Sequence, residues 1–432
     1  MRSTAELQAA DRRHLWHPFT QQRAWCEDEE PLIIEQAEGV NLYDTDGNPY
    51  IDGVASLWCN VHGHRHPALD EAVAEQLGRV AHSTMLGASH PGAIELAERL
   101  LESAPAGLTR VFYSDSGSTA VEVALKMAFQ WWLQRGERRT TFICLEGACH
   151  GDTLGAVSVG GIELLHSRYD PLLFDTVQAR SGDGRQLDEL LEQNAGQAAA
   201  VIVEPLVQGA GMLMQPHGYL ERVRQLCDAH GVLLICDEVA TGFGRTGMMF
   251  ACDHEAVAPD LMCVGKGLTG GYLPLAATLT TERVYEGFLG TPEEARTFFH
   301  GHTYTGNPLA CAAGIATLET FKRERTLETL APKIELLERL LAQRIAVLPG
   351  VVEVRQRGFM VGIELIGRPP GERLGHAVAM AARRRGALIR PLGDVIVLMP
   401  PLTISEADLR RLAAITAASI AETTVGRLRA AA

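Results

Sequence analysis

Two short apolar runs of this chain each end next to a single ionisable residue. The run VLLICD ends at Asp237, and the run LMCVG is followed directly by Lys266. Runs of this length and composition are typical of strands that are buried on both faces of a parallel sheet. In an open α/β sheet, ligands bind at the edge where the strands end. The pattern therefore predicts that a carboxylate and an amine lie at one ligand-binding edge.

The alternation of segments around these runs predicts the fold class. From about residue 67 to residue 319, strand-like runs alternate with helical patterns such as TAVEVALKMAFQWWLQ and YLERVRQLCDAHG; the runs are RVFYSD, TFICLEG, AAAVIVEP, VLLICDE, LMCVGK and LAATLT. Such alternation indicates parallel βαβ crossovers in a doubly wound α/β sheet. We therefore predict a large, mostly parallel domain.

The two ends of the chain have a different character. The sequence of residues 1–66 predicts antiparallel strands that precede the large domain, and DTDGN marks a hairpin turn between two of them. Residues 326–432 combine long helical patterns with a few strands, and a capping box is expected from Ser405 to Asp408. The predicted domains are thus a large one at 67–325 and a smaller α+β one at 326–432, to which residues 1–66 contribute.

Composition and charge exclude several classes of partner. The chain is 46% hydrophobic and 21% charged, as expected for a globular protein, and its formal charge of −14 disfavours nucleic acid or an anionic membrane surface. The nine cysteines show no CxxC spacing, which favours reduced thiols. Because neither a secretory signal nor a run of about 18 apolar residues is visible, we expect a cytoplasmic protein.

The paired amine and carboxylate predict a cofactor. A partly desolvated lysine can hold a carbonyl cofactor as an imine, and a carboxylate can keep a pyridine nitrogen protonated. These two needs together point to pyridoxal 5'-phosphate, held by Lys266 and Asp237. Its phosphate would bind in the segment FYSDSGSTAVEVALKMA, where Ser116, Gly117 and Ser118 precede a helix. Ordinary helix capping is the alternative for these serines.

A glycine motif and two histidine clusters do not predict a dinucleotide site or a metal site. The glycines of TGFGRTG satisfy a G-x-G-x-x-G spacing, but they lack the strand-ending acid about twenty residues later that a dinucleotide site needs. Histidines are clustered, but no cysteine or carboxylate accompanies them in a ligand pattern, and we predict no metal; the clusters are His62, His64 and His66, and His300 and His302.

Several segments together resemble one family, the class III or ω-type pyridoxal-phosphate aminotransferases. They are TAVEVALKMA, EPLVQGAG, CDEVATGFGRTGMMFACDHE, PDLMCVGKGLTGGYLPL and HGHTYTGNPLACAA. The resemblance implies a fold-type I homodimer with shared active sites, in which Lys266 is catalytic and Thr303 reaches the phosphate bound by the neighbouring subunit. It also implies a set of cofactor-binding residues: Ser116, Gly117, Ser118, Cys149, Gln208, Asp237, Lys266, His302 and Thr303.

Within that family, further segments resemble the members that aminate 8-amino-7-oxononanoate in biotin biosynthesis. They are HLWHPFT, LWCNVHGHRHP, HGDTLGAVSVG and IRPLGDVIVLMPPL. This resemblance implies that Arg390 binds the substrate carboxylate, as a planar guanidinium suits bidentate pairing. The other substrate-binding residues that it implies are Phe19, Leu57, Trp58, Gly301 and His302.

The chain departs from the pattern of this group at positions that would contact the amino donor. Leu57 and Trp58 stand where members that use S-adenosylmethionine commonly carry two tryptophans, and Phe19 and Cys149 each stand where a tyrosine is usual. The donor is therefore left open between S-adenosylmethionine and lysine. Two alternative functions also stay open: another ω-aminotransferase acting on a diamine or ω-amino acid, and a non-catalytic regulatory protein that binds the cofactor.

Overall fold

The computed structural model describes residues 2–162, 167–367 and 372–428. Its α-helices are α1 (Thr4–His14), α2 (Gln22–Glu27), α3 (Ala55–Trp58), α4 (Pro67–Leu77), α5 (Pro91–Ser103), α6 (Gly117–Gln134), α7 (Leu154–Ser158), α8 (Gly184–Gln193), α9 (Tyr219–His230), α10 (Glu282–Glu286), α11 (Pro308–Arg323), α12 (Thr326–Leu340), α13 (Leu374–Arg384) and α14 (Glu406–Leu428). The side chains of 425–428 lie outside the description.

The strands follow in the same order along the chain. They are β1 (Ile34–Glu38), β2 (Asn41–Asp44), β3 (Pro49–Asp52), β4 (Leu108–Ser114), β5 (Thr141–Leu145), β6 (Val177–Ala179), β7 (Ala198–Val203), β8 (Leu206–Val207), β9 (Leu213–Met214), β10 (Leu233–Asp237), β11 (Leu261–Val264), β12 (Ala276–Thr281), β13 (Val351–Arg357), β14 (Met360–Leu365), β15 (Ala387–Leu388), β16 (Arg390–Leu392) and β17 (Val395–Leu398).

The central sheet has seven strands in the order β4-β12-β11-β10-β7-β5-β6. Its pairs β11–β10, β10–β7, β7–β5 and β5–β6 are parallel, which confirms a mostly parallel α/β sheet. The expectation of a parallel crossover at LAATLT was wrong, because β12 is antiparallel to both β11 and β4. The physical reason is the short connection at 265–275, which carries a 3-10 turn and no crossover helix.

The register of this sheet brings the two predicted strand ends together. Asp237, the last residue of β10, pairs with Cys263 of the parallel strand β11. Lys266 follows β11 by two positions and begins a 3-10 turn over Lys266–Thr269. Both strands are buried along their full length, as their apolar composition predicted. The carboxylate and the amine therefore lie at the same edge of the sheet.

Helix α6 begins at this edge of the sheet and packs against the sheet along its length. Ser116 is its N-cap, and the side chains and backbones of Ser116 and Thr119 form a capping box. The helix packs against β11 and β12, and its buried side includes both Trp131 and Trp132. Its start is therefore fixed between a capped turn and a packed face.

Smaller sheets surround the central one. The hairpin expected at DTDGN is confirmed, since β2 and β3 pair antiparallel across it. The four-stranded sheet β1-β2-β3-β15 joins the two ends of the chain, because β15 pairs with β3. A second four-stranded sheet, β13-β14-β17-β16, belongs wholly to the C-terminal region. This arrangement supports our proposal that residues 1–66 contribute to the smaller domain, with boundaries at 67 and 326.

The C-terminal helix begins as expected. Ser405 Oγ accepts a hydrogen bond from the Asp408 backbone N–H at 3.0 Å, and Ser405 Oγ donates to the Asp408 carboxylate at 2.7 Å. Across the described part of the chain, no helix is long and apolar enough to cross a bilayer.

Candidate active site

A cavity of about 570 Å³ opens at the carboxyl edge of the central sheet. Its lining brings together residues from distant parts of the chain, and most of the residues predicted for the site are among them. The predicted residues that line it are Phe19, Leu57, Trp58, Gly117, Ser118, Cys149, Gln208, Asp237, Lys266 and Arg390.

Asp237 is held by two hydrogen bonds at the floor of this cavity. Its carboxylate accepts from His150 Nδ1 at 2.7 Å and from the Val239 backbone N–H at 3.0 Å, and Asp237 is only 5% exposed. Burial alone would lower the pKa of His150, but the hydrogen bond and the charge of Asp237 outweigh burial and raise it. The two hydrogen bonds therefore fix the direction of the Asp237 carboxylate.

Lys266 lines the same cavity and has a strained backbone conformation. Its φ of 43° is in the left-handed region, which a residue with a side chain seldom adopts. Burial lowers the pKa of the Lys266 amine, although the charge of Asp237 opposes that shift. The Nζ atom lies 4.9 Å from the ring centroid of Trp58 and makes no salt bridge within the described ranges. An amine of this kind is available for covalent chemistry.

A left-handed turn presents Trp58 to the lysine. All four residues of α3, from Ala55 to Trp58, have φ between 47° and 77°. Asp52 stabilises the turn, because its carboxylate accepts from the Ser56 backbone N–H at 2.9 Å and from Ser56 Oγ at 2.7 Å. Backbone strain of about 1–3 kcal/mol per residue persists only where the surroundings enforce it, and it is common at functional sites.

The start of α6 approaches the end of β10 very closely. A Cβ atom on Gly117 would lie 2.5 Å from Cγ1 of Val239, so only glycine fits there. Ser118 Oγ accepts a hydrogen bond from the Asp152 backbone N–H at 3.2 Å. Ser116 is exposed, caps the helix and is not among the residues that line the cavity. The helix N-terminus, with its free N–H groups, therefore borders the cavity beside Asp237.

Several buried polar atoms around the cavity have no protein partner among the described residues. They are Trp58 Nε1, His150 Nε2, Gln208 Oε1 and Arg390 Nε. Buried polar groups are normally hydrogen-bonded, so a set of orphans that converges on one cavity indicates a polar ligand. Arg390 also makes no salt bridge in the described structure, and burial lowers the pKa of its guanidinium, which stays charged at neutral pH.

Cys149 lies on the wall of the cavity, between two loops. Its backbone N–H donates to Glu204 at 2.9 Å, and burial raises the pKa of its thiol to about 11. A Cβ atom on Gly209 would lie 2.5 Å from Cys149 Cβ, so the two loops are in direct contact. The thiol is therefore protonated at neutral pH and acts as a small apolar group.

The predicted residues Gly301, His302 and Thr303 do not line the cavity of their own chain. Their loop instead contacts α6 and the residues just before it. Lys126 Nζ donates to His300 Nδ1 at 2.9 Å, and Nε2 of His300 lies 3.2 Å from Nε2 of His302. His302 Nδ1 then lies 3.4 Å from the carboxylate of Asp115. Gly301 and Thr303 are exposed.

Two residues of the site were missed by the sequence reasoning. His150 and Glu204 both lie in segments whose resemblance was recognised, HGDTLGAVSVG and EPLVQGAG. Glu204 directly follows β7, so the rule that identified Asp237 would have found it: an apolar run that ends in an ionisable residue. No local pattern signals His150, because its partner Asp237 is distant in sequence and only the fold joins them.

The cavity fits the chemistry of pyridoxal phosphate. A buried carboxylate for the ring nitrogen, an amine of lowered pKa and a helix N-terminus with no room for a side chain line one cavity. All three line the same cavity of about 570 Å³, which has room for a small aromatic molecule. Among the described residues, no group of three or more His, Cys, Asp or Glu side chains could hold a metal ion.

Comparisons with known proteins agree with this geometry. The family model "Aminotransferase class-III" matches residues 24–420. The adenosylmethionine-8-amino-7-oxononanoate aminotransferase of Nitratidesulfovibrio vulgaris is 56% identical, with 95% of this chain and 80% of the relative covered. The protein of that name from Aquifex aeolicus is 50% identical, with 93% and 94% covered.

Solved structures give the same result. The adenosylmethionine-8-amino-7-oxononanoate aminotransferase of Methanocaldococcus jannaschii has a TM-score of 0.95 at 44% identity, covering 97% of this chain and 99% of that one. An (S)-enantioselective ω-transaminase of Thermomicrobium roseum has a TM-score of 0.94 at 33% identity, with 98% and 99% covered. The chain thus belongs to the class III aminotransferases and is a fold-type I enzyme that depends on pyridoxal 5'-phosphate.

Proposed function

We propose that this enzyme transfers an amino group to 8-amino-7-oxononanoate and so makes 7,8-diaminononanoate in biotin biosynthesis. The observation that carries the proposal is the agreement of the curated relatives: eight proteins from different organisms, 36–56% identical over more than nine tenths of this chain, bear the name of that activity. The cavity supports it, because it combines an apolar wall with one unpaired guanidinium.

Lys266 and Asp237 divide the work on the reacting atoms. Pyridoxal phosphate, when bound, supplies an aldehyde carbon that exchanges for an amine and a ring that accepts electrons. Asp237, oriented by His150, holds the ring nitrogen in its protonated form. Lys266 Nζ moves the proton at the carbon that bears the amino group, since its lowered pKa leaves part of the amine neutral and basic. The Trp58 ring lies 4.9 Å from Lys266 Nζ and would shield one side of the amine from water.

The phosphate group would bind at the start of α6. Backbone N–H groups at a helix N-terminus suit a dianion, and the field of the helix adds to them. Gly117 and Ser118 are the residues of this turn that line the cavity, whereas Ser116 contributes the cap. Gln208 lines the cavity and would donate an amide N–H to the phenolic oxygen of the ring.

Arg390 would fix the far end of the substrate. The keto substrate has a carboxylate at the end of a long aliphatic chain, so it needs one cation and an apolar path. Arg390 supplies the cation, and Phe19, Leu57 and Trp58 supply the apolar path. A bidentate pair between a guanidinium and a carboxylate gives direction as well as energy.

The enzyme would act as a homodimer in the cytoplasm, with two shared sites. Large apolar side chains are exposed in the single chain: Trp16 is 89% exposed, Phe299 81% and Phe19, which lines the cavity, 66%. Exposed apolar side chains of this size fit a partner surface. In the dimer, the loop that contains Gly301, His302 and Thr303 would cover the neighbouring cavity, and Thr303 would contact its phosphate.

The amino donor is tested together with the activity. The purified enzyme is loaded with pyridoxal phosphate and mixed with S-adenosylmethionine or with lysine, and the visible spectrum of the cofactor is followed. The keto substrate is then added, and 7,8-diaminononanoate is measured by mass spectrometry. We expect S-adenosylmethionine to be the donor, as the names of the relatives state for those proteins. Product with lysine and none with S-adenosylmethionine would show that lysine is the donor. Transamination of simple diamines without formation of 7,8-diaminononanoate would favour an ω-transaminase of other specificity.

A further inference from the structure

Glu204 is a buried carboxylic acid beside the cavity to which the proposed function gives no role. It follows the last residue of β7, at the same sheet edge as Asp237, and is 3% exposed. Burying a carboxylate is costly unless charges or hydrogen bonds compensate for it. Within the described ranges, no lysine or arginine forms a salt bridge with Glu204. No salt bridge within these ranges therefore compensates for the burial of this carboxyl group.

The two oxygens of Glu204 connect two loops that form the wall of the cavity. Oε2 accepts the Cys149 backbone N–H at 2.9 Å, and Oε1 accepts the Gln208 backbone N–H at 3.4 Å. Both Cys149 and Gln208 line the cavity, whereas Glu204 does not. A carboxyl group in either protonation state can accept both bonds, because each oxygen keeps a free lone pair. Glu204 thus positions the wall without touching the ligand.

The charged and titratable groups that act on Glu204 come from several elements. Burial, together with the charge of Asp237, raises the pKa of Glu204 to about 7, against the opposing effects of the charge of His150 and of the two backbone hydrogen bonds. Glu204 in turn raises the pKa of Lys266 and that of Cys149. A carboxyl group in this environment exchanges its proton near neutral pH, unlike an exposed glutamate.

Arrival of a ligand changes the charge that this group experiences. A protonated ring nitrogen beside Asp237 would add a positive charge near Glu204, and a nearby positive charge favours the ionised form of a carboxyl group. The proton lost from Glu204 passes to the buffer, so no other reactant is needed.

We propose that Glu204 is a positioning residue that releases a proton when pyridoxal phosphate binds, and so keeps the buried charge beside Asp237 and His150 balanced. This inference rests on the proposed function, because it assumes that the ring nitrogen meets Asp237. It makes the affinity for the cofactor dependent on pH through Glu204.

The test compares Glu204→Gln with Glu238→Gln. Glu238 is the matched control, since it is fully buried and adjacent to Asp237, yet its carboxyl bonds to Thr241 and to the Cys252 backbone away from the cavity. Dissociation constants for pyridoxal phosphate are measured from pH 6 to pH 8. Between these limits we expect the affinity of the wild type, relative to Glu204→Gln, to rise by about fivefold to tenfold. Glu238→Gln should follow the wild type.

Infrared difference spectra provide a direct readout that needs no turnover. At pH 6, binding of the cofactor should remove a protonated-carboxyl band in the wild type and in Glu238→Gln, but not in Glu204→Gln. If Glu204→Gln does not fold, Glu204→Asp replaces it, and the band should then shift in frequency or titrate at another pH. An unchanged band in the wild type would overturn the inference. So would the same loss of the band in Glu204→Gln, or an affinity of Glu204→Gln that follows the wild type at every pH.

The same preparations separate this inference from the proposed function. Amination of 8-amino-7-oxononanoate with no change in the carboxyl band would refute the role of Glu204 alone. Loss of the band on cofactor binding without any amination would refute the proposed substrate and leave the role of Glu204 intact.

Discussion

Replacing Gly117 by alanine tests the close approach of α6 to β10. The added Cβ would lie 2.5 Å from Cγ1, 3.2 Å from Cγ2 and 3.4 Å from Cβ of Val239. Carbon atoms pack at roughly 3.5–4.0 Å. Because valine is restricted about χ1, we expect the start of the helix to move by about 1 Å in preference to a turn of this side chain.

The cost of this movement can be estimated from the structure. Overpacking costs about 1–3 kcal/mol, and alanine recovers up to about 1 kcal/mol over glycine within a helix, so we expect a net loss of about 1–2 kcal/mol in unfolding free energy. Because the displaced N–H groups are those that would hold the phosphate, the affinity for pyridoxal phosphate should fall by about tenfold to a hundredfold.

A second substitution and a control complete this prediction. Val239→Ala in the Gly117→Ala background removes both interfering methyl groups and should restore most of the affinity. Gly92→Ala is the matched control, since Gly92 is also in the first turn of a helix, and a Cβ there would meet nothing nearer than 3.5 Å. Cofactor affinity is measured by absorbance titration and stability by denaturant unfolding of the apoprotein. Unchanged affinity in Gly117→Ala would refute the proposed phosphate position.

Other substitutions test the remaining parts of the site. Asp237→Asn leaves His150 without its ion pair, so the apoprotein should lose about 1.5–3 kcal/mol of stability and bind the cofactor weakly; equal denaturation midpoints would contradict this. Arg390→Ala should raise the KM for the keto substrate at least about tenfold and leave the cofactor spectrum unchanged, with Arg390→Lys intermediate; an unchanged KM would exclude Arg390 as the carboxylate partner. Burial lowers the pKa of His62 to about 4, so the unfolded chain binds protons more readily than the folded one. The unfolding free energy of the wild type should therefore fall by up to about 3 kcal/mol as pH falls from 6.5 to 4. His62→Gln should lack this part of the decrease, and parallel curves of stability against pH for the two proteins would contradict the prediction.

The sequence predicts those parts of the site that depend on strand ends. Asp237 and Lys266 were placed correctly because apolar runs define buried strands, and parallel strands end at one edge. The presence of α6 follows from its helical pattern and serine cap, which are local signals, but the helix begins at Gly117, inside the segment that was expected to precede it. These features depend on few residues that are close in sequence.

Features that depend on tertiary contacts could not be predicted. The pairing of His150 with Asp237 joins two elements that only the sheet brings together. The left-handed turn at Ala55–Trp58 contains no glycine, so nothing in its composition predicts positive φ; the carboxylate of Asp52 and the packing around Trp58 enforce it. The antiparallel direction of β12 follows from the short connection at 265–275, which the alternation of strand-like and helical segments does not reveal.

The most direct test of the central claim is to identify the lysine that binds the cofactor. The protein is incubated with pyridoxal phosphate, reduced with borohydride, digested and analysed by mass spectrometry. We predict that the added mass lies on the peptide that contains Lys266 and that Lys266→Ala abolishes it. Attachment at another lysine, such as Lys126, or no attachment under excess cofactor, would contradict the claim that Lys266 and Asp237 share one cofactor.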